Sequence, residues 1–252
     1  IEQKLMALEK YQLAKTYITY RYTRALVRKA NTTDQSIKEL IEGESEYWNN
    51  ENSNKNATVV TTQRDYLAGI TSTDITRRFL LPEDIVKAHD EGIIHFHDAD
   101  YFAQNALTNC ELINLEDMLQ NGTIMNGVMI EKPHRFITAC TIATQIILAV
   151  TSSTYGGATV SLAHLAPFVD ISRKKLRKNV VKERKVIGES MDDAIIDKIT
   201  EMRLYDEIKQ GIQTIQYQLV TLMTCNGQAP FVTVFMYLDE VPEGQLRDDL
   251  AA

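Results

Sequence analysis

The stretch Phe231-Val-Thr-Val-Phe-Met-Tyr-Leu238 decides the fold class, because apolar side chains occupy both its odd and its even positions. Successive residues of a strand face opposite sides of the sheet, so this pattern predicts a strand covered on both faces. Strands of that kind belong to α/β proteins, in which helices cover a mostly parallel sheet. The turn Asn226-Gly-Gln228 precedes the strand, and residues 208–223 before it predict an amphipathic helix. We therefore predict an α/β fold.

A second stretch, residues 136–168, carries no charged side chain, which raises the question of a membrane helix. It contains six Thr, three Ser and Pro167, and its longest purely apolar central run is only Ile146–Val150. A bilayer-spanning helix needs about 20 predominantly apolar residues. The stretch therefore predicts a buried helix followed by a turn, and no membrane partner.

Two neighbouring segments carry opposite charge. Residues 172–185 hold eight basic residues against one acidic residue, and residues 189–207 hold seven acidic residues against two basic ones. Adjacent blocks of opposite charge are typical of two solvated helices that pair with each other. We predict a helical hairpin here.

The beginning of the chain predicts a helix over residues 1–30, which hold seven basic residues against two acidic ones. Within it, Tyr17-Ile-Thr-Tyr-Arg-Tyr-Thr-Arg24 interleaves aromatic rings with guanidinium groups. Such interleaving can hold a nucleotide by stacking and phosphate pairing, although a solvated basic helix face is the commoner explanation. The polar and acidic composition of residues 31–58 then predicts a linker.

Beyond the linker the pattern predicts a short strand over Val59–Thr62 and a helix over 81–92, with Pro82 in its first turn and Gly92 at its end. Ile93-Ile-His-Phe-His97 predicts the next strand, and residues 98–110 predict the connection that follows it.

Composition narrows the class of protein. The 252 residues are 24% charged and 44% hydrophobic, which excludes collagen-like, low-complexity and wholly disordered chains. The net charge of −7 gives no overall attraction to nucleic acid or to an anionic membrane. Three widely spaced cysteines without a CxxC pair indicate free thiols and a reducing compartment, the cytoplasm. Because the chain begins at Ile1, we expect it to be a piece of a longer protein.

The first candidate for chemistry is His95-Phe-His97-Asp98. Two histidines at i and i+2 of a strand share one face and could bind a metal ion, which favours a metal-dependent hydrolase. The other histidines stand in no second ligand-spaced motif, so a structural role with Asp98 as hydrogen-bond partner is the alternative that we favour. We predict no metal site in this chain.

The second candidate is Cys110, in Thr108-Asn-Cys110. A single thiol beside polar residues could be a nucleophile, a hydrogen donor or a small buried apolar residue, and the last is the commonest. Cys140 lies within the uncharged stretch, which predicts a packing role, and packing is also favoured for Cys225.

Four motifs give a family resemblance. They are residues 52–69 (Asn-Ser-Asn-Lys-Asn-Ala-Thr-Val-Val-Thr-Thr-Gln-Arg-Asp-Tyr-Leu-Ala-Gly), 92–101 (Gly-Ile-Ile-His-Phe-His-Asp-Ala-Asp-Tyr), Asn109-Cys110 and 226–231 (Asn-Gly-Gln-Ala-Pro-Phe). Together they resemble the anaerobic (class III) ribonucleoside-triphosphate reductases. The resemblance implies that residues 1–30 are the closing helices of an ATP-cone regulatory domain, that 31–58 are a linker, and that 59–252 are the first half of a ten-stranded α/β barrel.

The resemblance also implies a chemistry. In this family a radical-SAM activating enzyme places a radical on a glycine, a cysteine thiyl abstracts the 3′ hydrogen of a ribonucleoside triphosphate, and formate supplies the electrons. Cys110 matches the second cysteine, which donates hydrogen. The glycyl radical, the thiyl cysteine and a four-cysteine zinc site lie beyond Ala252, so we expect no reductase activity from this chain alone.

The family further implies a homodimer that binds ATP or a dNTP effector at its interface. Glu131, Gln145 and Arg177 are the positions to which we assign the effector site. Arg177 belongs to the basic cluster Arg173-Lys-Lys-Leu-Arg-Lys178, and Arg pairs phosphate oxygens in bidentate fashion.

Two other classes stay open at this point. One is the metal-dependent hydrolase built on His95 and His97, and the other is a non-catalytic module that binds nucleotides and dimerises.

Overall fold

The computed structural model describes residues 1–44, 56–104, 110–153, 157–188, 192–224 and 227–252, without the side chains of 24–32 and 34. The chain forms two compact units, residues 1–106 and residues 107–252.

The first unit begins with α1 (Glu2–Ala7) and α2 (Tyr11–Glu42), which confirms the predicted helical start. The linker predicted over 31–58 is wrong in its first part, because α2 continues through it to Glu42. Helix formers fill residues 35–42, and Leu40 is buried at 2% exposure, so packing and propensity both extend the helix. The helix ends at Gly43, whose φ of 76° is the left-handed conformation that glycine adopts freely.

Helix α3 (Val60–Ile75) replaces the strand predicted over Val59–Thr62. The β-branched run is locally strand-like, but the buried positions of the whole segment follow helical spacing. These positions are Thr62, Tyr66, Gly69 and Ser72. One turn of π-helix, Thr76–Leu80, continues α3.

Helix α4 (Glu83–Asp90) confirms the prediction over 81–92, with Pro82 before its first residue and Gly92 beyond its end. The strand predicted over Ile93–His97 is wrong. The amides of Ile93 and Ile94 donate to the carbonyl of Ala88 at 2.9 and 3.3 Å, so they complete the end of α4 instead of a sheet. A short helix, α5 (Ala99–Phe102), follows and packs against α3.

The second unit is an α/β assembly. Its parallel sheet has the strand order β1 (Glu111–Leu112), β4 (Ala158–Ser161), β5 (Val232–Phe235). Helix α6 (Leu115–Gln120), an antiparallel hairpin of β2 (Thr123–Met125) and β3 (Val128–Ile130), and helix α7 (Phe136–Ser153) lie between β1 and β4. This topology agrees with the predicted α/β class.

Helices α8 (Ala166–Ile187) and α9 (Asp193–Thr221) lie between β4 and β5, and α10 (Gln245–Ala251) ends the chain. The predicted hairpin of opposite charge is confirmed. Arg173 bonds Glu201 at 2.8 Å and Arg177 bonds Asp197 at 2.7 Å across α8 and α9. The amphipathic helix predicted over 208–223 is the second half of α9.

Helix α7 is the centre of the core. It is the one helix of the described residues that is long and apolar enough to cross a bilayer by length and composition. Its buried side chains nevertheless pack into the hydrophobic core of this unit, as predicted for residues 136–168. They include Phe136, Ala139, Cys140, Ala143, Ile146 and Ile147.

Candidate active site

The three-stranded sheet has two different faces. On the covered face, Ile113, Ala158 and Val160 are buried in the core beneath the helices. On the open face, Leu112 is 81% exposed, and Thr233 and Phe235 are exposed as well. The expectation that residues 231–238 are covered on both faces is therefore wrong for the described part of the chain. The strand β5 is also shorter than predicted.

Cys110 lies at the amino end of this sheet, immediately before β1, and it is exposed. The amide of Glu111 donates to the carbonyl of Gly157 at 3.0 Å, so the β1–β4 pairing begins directly after Cys110. Side chains alternate along a strand, which places Cys110 on the same face as Leu112. The thiol thus belongs to the open face of the sheet.

Gly157 and Phe231 continue this edge on the neighbouring strands. The amide of Ala158 donates to the carbonyl of Phe231 at 2.8 Å, which brings residues 157 and 231 side by side. A Cβ atom on Gly157 would lie 3.1 Å from the Phe231 ring, so glycine lets the ring approach the middle strand closely. Cys110, Gly157 and Phe231 form what we call the thiol edge.

A buried turn positions Phe231. The amide of Thr224 donates to the carbonyl of Gln228 at 2.8 Å, and both residues are buried, at 5% and 4% exposure. This turn connects the end of α9 to β5 and belongs to one of the motifs that suggested the family. Asn226 of that motif, Cys225 before it, and Asn109 beside Cys110 lie outside the described residues.

The opposite, carboxyl end of β4 is polar. The hydroxyl of Ser161 accepts a hydrogen bond from the amide of Ala163 at 3.2 Å and donates one to the carboxylate of Glu240. Thr159 and Thr233 lie between this end and the thiol edge, directly opposite each other in the β4–β5 register. The open face therefore offers a thiol and several hydroxyl groups.

The covered face holds the second described thiol, Cys140, which is 0% exposed. Burial, together with the negative charge of Glu207, raises the pKa of the Cys140 thiol to about 12. This thiol stays protonated at neutral pH, which confirms its predicted packing role.

A buried carboxylate, Glu207, fixes the start of α7. Its side chain accepts hydrogen bonds from Arg135 Nη2 at 2.5 Å, from the Ser172 hydroxyl at 2.8 Å and from the Ile137 amide at 3.4 Å. Burial alone would raise the pKa of Glu207, but the bonds from Arg135, Ser172 and Ile137 outweigh burial and hold that pKa below its ordinary value.

The histidine motif forms a local cluster. His95 Nε2 lies 3.3 Å from His97 Nδ1, and His97 Nε2 lies 3.4 Å from the carboxylate of Asp98, the partner that the sequence predicted. His89 Nδ1 accepts a hydrogen bond from the amide of Phe96 at 3.1 Å. Among the described residues, no group of three or more His, Cys, Asp or Glu side chains is arranged to hold a metal ion.

The three residues assigned to the effector site lie on separate elements. Glu131 follows β3, Gln145 lies in α7 and Arg177 lies in α8, and all three are exposed. In the described part of the chain no hydrogen bond or ion pair joins them to each other. Arg177 is engaged elsewhere, because it bonds Asp197 at 2.7 Å and Asp193 at 3.1 Å. These bonds, the one to Asp197 above all, raise the pKa of Arg177.

Sequence reasoning missed the hydroxyl groups of the open face and the Glu207 network. Thr159 and Ser161 alternate with the buried Ala158 and Val160, so a period of two in Ala158-Thr-Val-Ser161 was the available signal. No sequence pattern marks Glu207, because its partners lie 35 and 72 residues away along the chain.

Comparison with known proteins points to one family. The family model for anaerobic ribonucleoside-triphosphate reductase matches residues 51–252. The anaerobic ribonucleoside-triphosphate reductase of Escherichia coli K12 is 39% identical over 236 residues, which cover 92% of this chain and 32% of the relative. The reductase of the same name from enterobacteria phage T4 is 37% identical over 205 residues, which cover 81% of this chain and 32% of the phage protein.

The chain thus spans about a third of the length of these curated relatives. The match to the family model extends over most of the chain, including Cys110 and the whole sheet. The chain therefore belongs to the anaerobic ribonucleoside-triphosphate reductase family.

Proposed function

We propose that this chain is part of an anaerobic reductase that converts ribonucleoside triphosphates into 2′-deoxyribonucleoside triphosphates for DNA synthesis. The observation that carries the proposal is the exposed thiol of Cys110 at the thiol edge, in a chain of this family. A glycyl radical and the thiyl cysteine, both outside this chain, supply the radical chemistry, with formate as the reductant. A radical-SAM activating enzyme generates the radical, and the zinc site of the parent protein also lies outside this chain.

The open face fits that role better than the covered face does. A hydrogen donor must contact the substrate, and Cys110 is exposed whereas Cys140 is sealed in the core. Gly157, next to Cys110, adds no side chain of its own, and the Phe231 ring packs against it beside the thiol. The hydroxyl groups of Thr159 and Thr233 are placed to form hydrogen bonds with a hydroxylated substrate along the same face.

The test is the Cys110→Ala variant of the full-length reductase, loaded with its radical. Nucleotide reduction should be lost while the glycyl radical signal in electron paramagnetic resonance stays at the wild-type level. Cys140→Ala is the matched control, and it should keep reduction because its thiol contacts only the core. Wild-type turnover by Cys110→Ala would refute the assignment.

We also propose that the parent protein is a homodimer that binds ATP or a dNTP with Glu131, Gln145 and Arg177. Support comes from α7, whose exposed positions Thr138, Thr141 and Gln145 carry no charge and suit a helix-to-helix contact. Two basic clusters brought close together would repel each other, and a bound triphosphate would relieve that repulsion. Arg177 would then exchange part of its bonding to Asp193 and Asp197 for phosphate oxygens.

Equilibrium dialysis of the parent protein with dTTP and dGTP tests this placement. Gln145→Ala and Arg177→Ala should each weaken effector binding, and added salt should weaken it in the wild type. Arg203→Ala is the control, because Arg203 belongs to the same helical hairpin and loses a comparable ion pair with Glu183. Unchanged affinity in both effector variants would refute the placement.

Domain assignments follow from the same proposal. Residues 1–30 are the closing helices of an ATP-cone, and residues 59–252 are the first half of a ten-stranded barrel. The three parallel strands of the second unit, with helices in the connections between them, support the barrel assignment. The protein acts in the cytoplasm, without nucleic acid or membrane as a partner.

A further inference from the structure

A groove of about 530 Å³ lies within the first unit, between the π-helical turn Thr76–Leu80 and helix α4. Its walls combine the cations Arg77, Arg78 and Lys87 with the apolar Leu81 and Val86 and with three carboxylates. This volume falls within the range of pockets that bury a small organic molecule, and it is larger than a bare ion needs. The walls belong to no part of the reductase site described above.

The two neighbouring arginines carry donors for which the described residues supply no acceptor. Arg77 bonds both oxygens of Asp90, at 2.7 and 2.8 Å, and Arg78 bonds Asp74. All these bonds fall on the Nη2 atoms, although each guanidinium carries five N–H donors. The ion pairs therefore hold the two guanidinium groups in place and leave other donors of each group without a partner among the described residues.

A second observation, independent of the cavity, also points to a missing acceptor. Arg78 Nε is shielded from solvent, and no acceptor for it exists among the described residues. Its guanidinium carbon lies 5.0 Å from the centre of the Phe79 ring, so an apolar surface limits its motion. Shielded donors without a partner are rare in proteins, and an acceptor supplied from outside the chain accounts for this one.

The π-helical turn brings these groups together. A π-helical turn inserts an extra residue into a helix, and such turns occur frequently at functional sites. Here the turn carries Arg77 and Arg78 side by side, and Pro82 then starts α4, which supplies Lys87 and Asp90 from the opposite wall. The local backbone therefore brings three cations and three carboxylates to one small groove. Lys87 lies 3.7 Å from Glu91, so each of the three cations is paired with a carboxylate before a ligand binds.

We propose that this groove binds the phosphate ester of a small hydroxylated molecule. Three cations from two elements suit a phosphate dianion with three oxygens better than a carboxylate, which offers two oxygens and one charge. Glu83 and Glu91 on the same walls can accept hydrogen bonds from hydroxyl groups of the ester. This inference does not rest on the proposed reductase function.

Isothermal titration of the full chain with ribose 5-phosphate tests the proposal, with ribose, inorganic phosphate and acetate as comparison probes. Ribose 5-phosphate should bind more tightly than all three. Arg78→Lys keeps the charge that pairs with Asp74 but lacks Nε–H, and it should weaken binding about tenfold or more, as expected for the loss of a charge-assisted hydrogen bond.

The matched control is Arg64→Lys, the same substitution at an exposed position of α3 outside the groove, and it should leave affinity unchanged. Lys87→Gln is a second variant in the groove. The Lys87 side chain is 72% exposed, so this variant should fold and can test the proposal even if Arg78→Lys does not fold. Equal affinities of wild type and both groove variants would overturn the proposal. Binding of acetate or inorganic phosphate as tight as that of ribose 5-phosphate would also overturn it.

Discussion

The covered and open faces of the parallel sheet differ although the same strands build them. On the covered face, Val160 and Ala158 are buried in the core, β4 contacts α7, and even the thiol of Cys140 in α7 is inaccessible. On the open face, Cys110, Thr159 and Thr233 keep polar groups within reach of a ligand. Because side chains alternate along a strand, one set of residues stabilises the fold and the other set is accessible for chemistry.

The largest expected effect is in thiol reactivity. With a pKa of about 12, Cys140 has a thiolate fraction on the order of 10⁻⁴ at pH 8, and burial blocks reagents as well. In a Cys225→Ser background, iodoacetamide should modify Cys110 rapidly and Cys140 only after unfolding. Peptide mass spectrometry distinguishes the two sites, and equal labelling of both in the folded chain would contradict this difference between the two faces.

The next largest effect is on stability, and it compares the same substitution, Leu→Ala, in the core and on the open face. Leu119 is 0% exposed in the core beneath the sheet, whereas Leu112 is 81% exposed on the open face. Leu119→Ala should lower the free energy of unfolding by about 2–5 kcal/mol because it leaves a cavity. Leu112→Ala should change it by less than about 0.5 kcal/mol.

Urea unfolding followed by circular dichroism measures both variants. A loss at Leu112→Ala as large as that at Leu119→Ala would show that the open face is covered within this chain.

A third effect concerns the buried carboxylate that anchors α7 on the covered side. Glu207→Gln removes the negative charge to which Arg135 and Ser172 donate hydrogen bonds. It should lower the free energy of unfolding by about 1.5–3 kcal/mol at neutral pH. The folded-state pKa of Glu207 lies below the ordinary 4.5, so its contribution is complete above that pH and is lost as the pH falls through the folded pKa.

The difference in unfolding free energy between wild type and Glu207→Gln should therefore shrink on acidification below about pH 4.5. The control is Glu116→Gln, at an exposed position of α6, and it should show no comparable loss. A wild type that is no more stable than Glu207→Gln at pH 7 would contradict the role of this network.

The sequence predicts the second unit better than the first, for a physical reason. In the second unit, apolar content and charge blocks agree with the tertiary packing, so α7, the α8–α9 hairpin and β5 all lie where the patterns indicate. In the first unit, the β-branched Val59–Thr62 and the apolar Ile93–His97 have strand propensity but no partner strand in the described residues. Val59–Thr62 lies at the start of helix α3 because the segment packs as a helix. Ile93–His97 forms no strand because the amides of Ile93 and Ile94 bond the end of α4.

The candidate site shows the same limit. The motif around Cys110 predicts a catalytic thiol, but it does not predict whether that thiol is exposed. Exposure depends on which face of the sheet the helices cover. That property arises from contacts between residues far apart in sequence, such as Arg135 with Glu207. The effector residues Glu131, Gln145 and Arg177 stay a prediction, because no contact among the described residues brings them together.

The smallest expected effect is at Gly211, where α9 meets α7 on the covered side. A Cβ atom there would lie 2.6 Å from Cε1 of Phe136 and 2.9 Å from the sulfur of Cys140. Gly211→Ala should therefore destabilise the protein by about 1–3 kcal/mol through overpacking, less the gain in helix propensity of about 1 kcal/mol. Gly69→Ala in α3 is the control, because its nearest neighbour, Cβ of Asp100, is 3.4 Å away, an ordinary contact. The free energy of unfolding of Gly69→Ala should rise by up to about 1 kcal/mol. In urea unfolding, the two variants should therefore change this free energy in opposite directions. A Gly211→Ala variant that is more stable than the wild type would show that α7 and α9 pack less closely than described.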